Sequence, residues 1–146
     1  MASGTAEKLY SPTILGLAVE LARYPLDTNL PFLGRARSQS CGSSLSLSLE
    51  TDDNDTIRAL GMQVSACAIG QASAAIFARH AIGLDAAAIG QAHAAIAHWL
   101  EGEGPAPNWP DIDLIAPARA YPARHGAMLL PWKAAEVALS KAGAAR

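Results

Sequence analysis

Cysteine is scarce in this chain: two residues among 146, and no CxxC pair. That supply is too small for a disulfide-stapled scaffold. Aromatic residues make up only 5% of the sequence although 51% is hydrophobic, so the core must be assembled from Ala, Leu and Ile. No stretch approaches the ~20 consecutive apolar residues of a membrane span, and residues 1–8 lack the apolar run of a signal peptide. The net charge of -2 lacks the basic excess expected of a nucleic-acid binder. No HExxH, GxSxG or phosphate-loop motif is present. These absences predict one soluble, cytoplasmic domain over residues 1–146, with its core in 9–139 and neither a membrane nor a nucleic-acid partner. In a reducing compartment two cysteines are thiols more often than a structural bridge.

What is present favours helices, since Ala and Leu lead the helix-propensity scale. Ser11 is placed to cap a first helix with Pro12 at its first position, and Ile14, Leu15, Leu17, Ala18, Leu21 and Ala22 supply an apolar face. The period then changes to two. Leu45, Leu47 and Leu49 alternate with Ser44, Ser46 and Ser48, which predicts a strand with one buried face. A strand over 34–40 precedes it, turning at Cys41-Gly42. After the acidic turn 51–55 another strand carries Leu60, Met62 and Val64 on one face. The expectation is an α+β fold, a three-stranded antiparallel meander packed by helices. Helices are expected over 66–82 and 84–100, joined at Gly83 as a C-cap, then a short helix over 111–118 and a last one over about 128–141. Residues 68–76 read AIGQASAAI and 88–96 read AIGQAHAAI, differing only at Ser73 and His93. Two copies are too few for a repeat architecture, and shared helical composition accounts for them.

The residues with the most chemistry are the two thiols. Ser65 is placed to cap the helix that follows, which would put Cys67 in its first turn, where the helix dipole favours a thiolate able to bind soft metals or attack sulfur. Cys41 sits at a strand-to-turn junction beside Gly42. The plain alternative is that both are small buried hydrophobes, and two cysteines 26 positions apart specify no metal site by spacing. A reversible Cys41–Cys67 bridge is a further reading, and it needs the two Cα atoms within ~7 Å. The aspartates at 52, 53 and 55 read as a solvated turn, and Trp99, Trp109 and Trp132 as satellite core residues. Arg119 and Arg124 could mark a docking surface, or be solvated like most lone arginines.

Several segments resemble the NifU/IscU/SufU iron–sulfur scaffold family, from residue 9 to 139. LYSPTIL is similar to the family's opening helix, and Ser40-Cys41-Gly42 resembles its first cysteine motif, Cys-Gly-Asp. The segment from Cys67 to Ala74 resembles Cys-Ser-Ile-Ser-x-Ala-Ser-Ala/Ser. Tyr121-Pro122-Ala123-Arg124 and Trp132-Lys133-Ala134 look like the ending of the SufU branch, as does the added helical segment 85–100. The Leu-Pro-Pro-Val-Lys motif of the IscU branch is absent.

The resemblance implies a non-enzymatic scaffold that accepts sulfur from a cysteine desulfurase and passes an iron–sulfur cluster to acceptor proteins. It also marks departures. Ser43 stands where an aspartate is expected, Ala127 where the third cysteine belongs, and Gly126 at the IscU-branch histidine, with His125 one residue early. The implied site is therefore Cys41, as sulfur acceptor forming a persulfide, and Cys67, as ligand to zinc, iron or a cluster. His125 is a third candidate ligand. Four ligands are the rule for structural zinc and for clusters, so two thiols from each of two chains in a homodimer are one way to complete a set. The other reading is a degenerate scaffold-fold module that regulates or bridges the assembly machinery without a cluster of its own.

Overall fold

The computed structural model describes residues 9–40 and 42–145. Helix α1 (Pro12–Glu20) opens as expected, with Ser11 as N-cap accepting from the Ile14 amide at 3.3 Å. It buries Ile14 and Leu17, whereas Leu15 and Ala22, placed on its apolar face from sequence, are exposed. A 3₁₀ turn (Leu21–Arg23) ends it.

Strands β1 (Phe32–Arg37), β2 (Ser44–Thr51) and β3 (Ile57–Ser65) form an antiparallel sheet in the order β1-β2-β3. Register follows the alternation of β2: Leu45, Leu47 and Leu49 are buried, and Leu47 faces Gly34 on one side and Met62 on the other. The meander is the expected one, with one shift. The first strand begins at Phe32 and stops at Arg37 rather than spanning 34–40. Its start is fixed by pairing Phe32 with Leu49, and its end by a turn in which the Ser38 amide donates to Ser43 O at 2.8 Å and Gly42 N to Ser38 O at 3.0 Å. Gly42 has φ +71°, the left-handed conformation that glycine permits. In the acidic turn, Asp52 accepts from the amides of Asn54 and Thr56 and from the Thr56 hydroxyl, which holds its carboxyl below the ordinary range.

Helices α2 (Ala68–His80), α3 (Ala86–Leu100) and α4 (Pro122–Ala144) follow, with a 3₁₀ helix (Ile112–Ala120) before the last. Four sequence expectations are corrected. Helix α2 starts at Ala68 because Cys67 is extended (φ -66°, ψ 171°) and occupies the N-cap; Ser65 ends β3 and caps nothing. Gly83, at φ +91°, lies beyond the C-cap Ala81 and works in a turn, where it donates to Ile57 O at 2.8 Å. The segment 112–120 is 3₁₀, with Pro117 inside it. The last helix starts at Pro122, whose missing N–H is harmless at N1. Pro131 is therefore interior, buried in the packed face of α4, and its missing N–H leaves the Ala127 carbonyl without its usual i+4 donor.

Helix α4 packs against β1, β2, α2 and α3 at once. Its Ala134 and Ala138 lie against Gly34, where an added Cβ would stand 2.8 Å from the Ala138 amide nitrogen. Trp132, fully buried, meets Phe77 of α2 and Trp109 edge-on at 5.4 and 5.2 Å, while Phe77 and Trp109 stack at 5.5 Å. The tryptophans thus belong to the main core rather than to satellites. Across α1, α2 and the 3₁₀ helix, Arg79 forms two 2.6 Å bonds to Glu20 and one of 3.2 Å to Asp111, which His80 also holds at 2.7 Å.

Gly34→Ala forces backbone against backbone and should cost about 3 kcal/mol or more, read from urea unfolding. The Arg79 pairs give a pH signature. Arg79 hydrogen bonds hold the Glu20 carboxyl below 4.5, and His80, then Arg79, hold the Asp111 carboxyl below 3.8. A carboxyl lowered on folding contributes stability above its unfolded value and loses it as pH falls through the folded one. Arg79→Met should therefore be less stable than wild type at neutral pH, with the difference shrinking below about pH 4, measured by urea unfolding at pH 7 and pH 3.

Candidate functional site

Three segments converge at one end of the sheet: the β1–β2 turn, the start of α2 and the first turns of α4. Ser38 and Ser43 in the turn are buried. Ser38 Oγ lies 3.2 Å from Ser40 Oγ, and the Ser40 hydroxyl reaches Ala123 O of α4 at 3.5 Å. Gly126 completes this contact, since a Cβ there would collide with the Ser38 side chain. Cys41 lies outside the described residues; its neighbours Ser40 and Gly42 are both exposed.

Cys67 is a half-buried free thiol at the N-cap of α2, and its side chain makes no capping hydrogen bond. The turn behind it is tied instead by Gln71, whose amide donates to Cys67 O at 3.0 Å and whose side-chain nitrogen donates to Ala66 O at 2.9 Å. One turn further on, Gly70 faces Ala127: a Cβ on Gly70 would stand 3.3 Å from the Ala127 Cβ. Ala127 is 1% exposed, so the position aligned with a third cysteine is at this site but filled by a methyl group in the core.

In sequence Ser73 is the one residue at which segment 68–76 differs from segment 88–96, and it lies within the Cys67–Ala74 segment. Its hydroxyl donates to Met128 O at 2.6 Å, fully buried, and so fastens α2 to α4 beside the site. The carbonyl next to Met128 is Ala127 O, which Pro131 four residues on cannot serve as a donor. The counterpart His93 is directed to Glu136 instead. Polar identity at the one differing position was the signal available.

His125 occupies another face. Its Nε2 is 3.0 Å from Arg119 O, and it borders an open cleft of about 520 Å³ with Leu100, Glu101 and Pro122. Successive α-helical residues are turned by ~100°, so His125 is ~200° from Ala127 around α4. Arg119 is half-buried: its Nε donates to Trp99 O at 2.8 Å and its guanidinium lies 4.9 Å from the Trp99 ring. Among the described residues one group of three His, Cys, Asp or Glu side chains brings its ligand atoms within 4.8 Å of one another, namely His98, Glu101 and Glu103, all exposed.

This sheet order, with α4 across it and a thiol at the α2 N-terminus, defines the NifU N-terminal-like α+β fold. The chain is similar to a nitrogen-fixing NifU-like protein (N-terminal) from Brucella abortus at 28% identity and TM-score 0.86, over 97% of this chain and 99% of that one. It also shares its fold with a candidate iron–sulfur cluster assembly scaffold protein for the SUF system from Fervidobacterium islandicum AW-1, at 24% identity and TM-score 0.78, over 91% and 98%. The structural neighbours are thus the NifU and SufU types that the cysteine segments resemble. No protein-family model and no curated protein matches the chain.

Loss of the buried Ser73 hydroxyl should loosen the α2–α4 contact. Ser73→Ala is expected to cost about 1 kcal/mol in urea unfolding, with the helical circular dichroism of the folded state retained.

Proposed function

We propose that this chain is a scaffold-like protein of iron–sulfur cluster assembly, acting as one domain and not as an enzyme, with Cys41 and Cys67 as its working thiols. The observation that carries this reading is the likeness to the Brucella NifU-like protein across nearly the full length of both chains. The meeting of the β1–β2 turn, the Cys67 N-cap and Ala127 at one end of the fold supports it.

The residues present do not fit a cluster held by one chain. A cluster takes about four thiolates, and this chain has two, with Ala127 buried where a third would project. Sulfur acceptance needs only one thiolate. Attack by Cys41 on the outer sulfur of a persulfide on the desulfurase forms one S–S bond as the donor's S–S bond breaks. The donor cysteine leaves as a thiolate, and no external oxidant or reductant is consumed. Cys67, half-buried at the N-cap of α2, suits the role of metal ligand, because thiolates hold zinc and iron. His125 is the available third protein ligand, and reaching the thiols would require it to leave Arg119 O. A homodimer would bring four thiolates to one cluster, which acceptor proteins would then receive as cargo.

The buried Ala127 favours a second reading, a module of the same fold that bridges or regulates the assembly machinery without metal.

One set of measurements separates them. The full chain is purified without oxygen and its zinc, iron and acid-labile sulfide are quantified, alone and after incubation with cysteine desulfurase, iron and cysteine. Wild type should carry metal or persulfide that falls severalfold in Cys41→Ser or Cys67→Ser. A wild-type protein that takes up neither would remove the first reading in favour of the second.

A further inference from the structure

The chain carries a formal charge of -2, but its charges are sorted along the sheet. Residues 34–48, 61–75 and 119–129, which build the site end, contain Arg35, Arg37, Arg119 and Arg124 and no aspartate or glutamate. The opposite end of the sheet carries Glu50, Asp52, Asp53 and Asp55, with Arg58 paired to Glu50 at 2.7 Å.

Arg35 and Arg37 stand opposite Ser46 and Ser44 in the β1–β2 register, on the face of the sheet that turns away from Leu45 and Leu47. Ser44 in turn pairs with Ser65, two residues before Cys67. With strands ~4.8 Å apart, Arg37 and Ser65 are separated by only ~10 Å across the sheet. Both arginines are exposed and flank a shallow depression of about 300 Å³ floored by Ser44 and Ser46. Arg124 stands on the first turn of α4, beside the residue whose carbonyl receives the Ser40 hydroxyl. Among the described residues, none of Arg35, Arg37 and Arg124 has a carboxylate within salt-bridge distance, whereas Arg58 and Arg79 do. Arginines that only protect an edge strand from aggregation would not need to coincide with the acid-free strand ends beside the β1–β2 turn.

We propose that this arginine-bearing rim is a docking platform for an acidic protein surface, and that the acidic partner is the sulfur donor whose persulfide must reach the thiols. The inference rests on the sulfur-accepting function proposed above and names the chemistry of the partner's face. Charge complementarity at the rim of an interface acts mainly on the encounter rate and on its salt dependence. A platform within ~10–15 Å of Cys67 fits inside the ~800 Å² that each partner commonly contributes to a stable interface.

The test uses the full chain and the purified cysteine desulfurase of the same organism. The association rate is measured by stopped flow from 25 to 300 mM salt, and sulfur transfer from labelled cysteine is followed separately. The wild-type rate should fall steeply with salt. Arg35→Glu/Arg37→Glu should slow association roughly tenfold or more at low salt, while Arg58→Glu/Lys133→Glu, with the same net charge change, stays near wild type. Transfer at saturating desulfurase should survive in both. A salt-insensitive rate, equal loss in the two double variants, or no binding to the desulfurase at all would overturn the platform. So would binding of a DNA duplex at the same salt in place of the desulfurase. Salt-sensitive binding without sulfur transfer would instead defeat the sulfur-accepting reading and leave the platform standing.

Discussion

The close approach of helix α4 to strand β1 is the contact on which the other packing depends. It exists because residue 34 has no side chain, so that the backbone at Ala134 and Ala138 can settle on the sheet. From that seat α4 presents Trp132 to Phe77 and Trp109 on one side and Ala127 to Gly70 on another. A helix so rich in alanine buries little area per residue, and compensates by bringing backbones near enough for many weak dispersion contacts. The same small-residue logic recurs where Gly126 meets Ser38, and there it fixes the position of the β1–β2 turn.

Functional geometry inherits this. The α2 N-terminus is held by Gln71 and Ser73, and the turn before β2 is held by serines. Both segments are tied by hydrogen bonds while Cys67 itself forms no side-chain hydrogen bond at its cap. The methyl group of Ala127 packs against Gly70 one turn further along α2.

Much of the fold was legible in the sequence, for local reasons. The serine–leucine alternation of β2 has a period that only a strand satisfies, and the Ser11-Pro12 start of α1 is a cap with one stereochemical meaning. Boundaries failed where tertiary contacts outweighed local signals. Pro131 reads as a helix start, yet burial holds it nine residues inside α4; Ser65 reads as a cap, yet the β2 ladder keeps it extended. At the site, the resemblance read from the cysteine segments is borne out by structural neighbours of the NifU and SufU types that share the fold. The packing of Ala127 against Gly70 and the partner of the Ser73 hydroxyl depend on residues more than fifty positions away, and only the polar identity of Ser73 hinted at the second. His125 is a candidate third ligand in sequence because it stands one residue before the position of the IscU-branch histidine, and helical geometry turns it toward Arg119.

The seat of α4 also has a consequence for how the polypeptide comes off the ribosome. The leucines of β2 are finished by residue 49, but the helix that covers them begins at residue 122. At roughly 5–20 residues per second, the nascent meander waits several seconds with its apolar face uncovered. The polar serines on its other face and the acidic turn between β2 and β3 keep the exposed sheet hydrated on that side and charged at its tip during the interval. Their service to solubility is needed most before the native state exists.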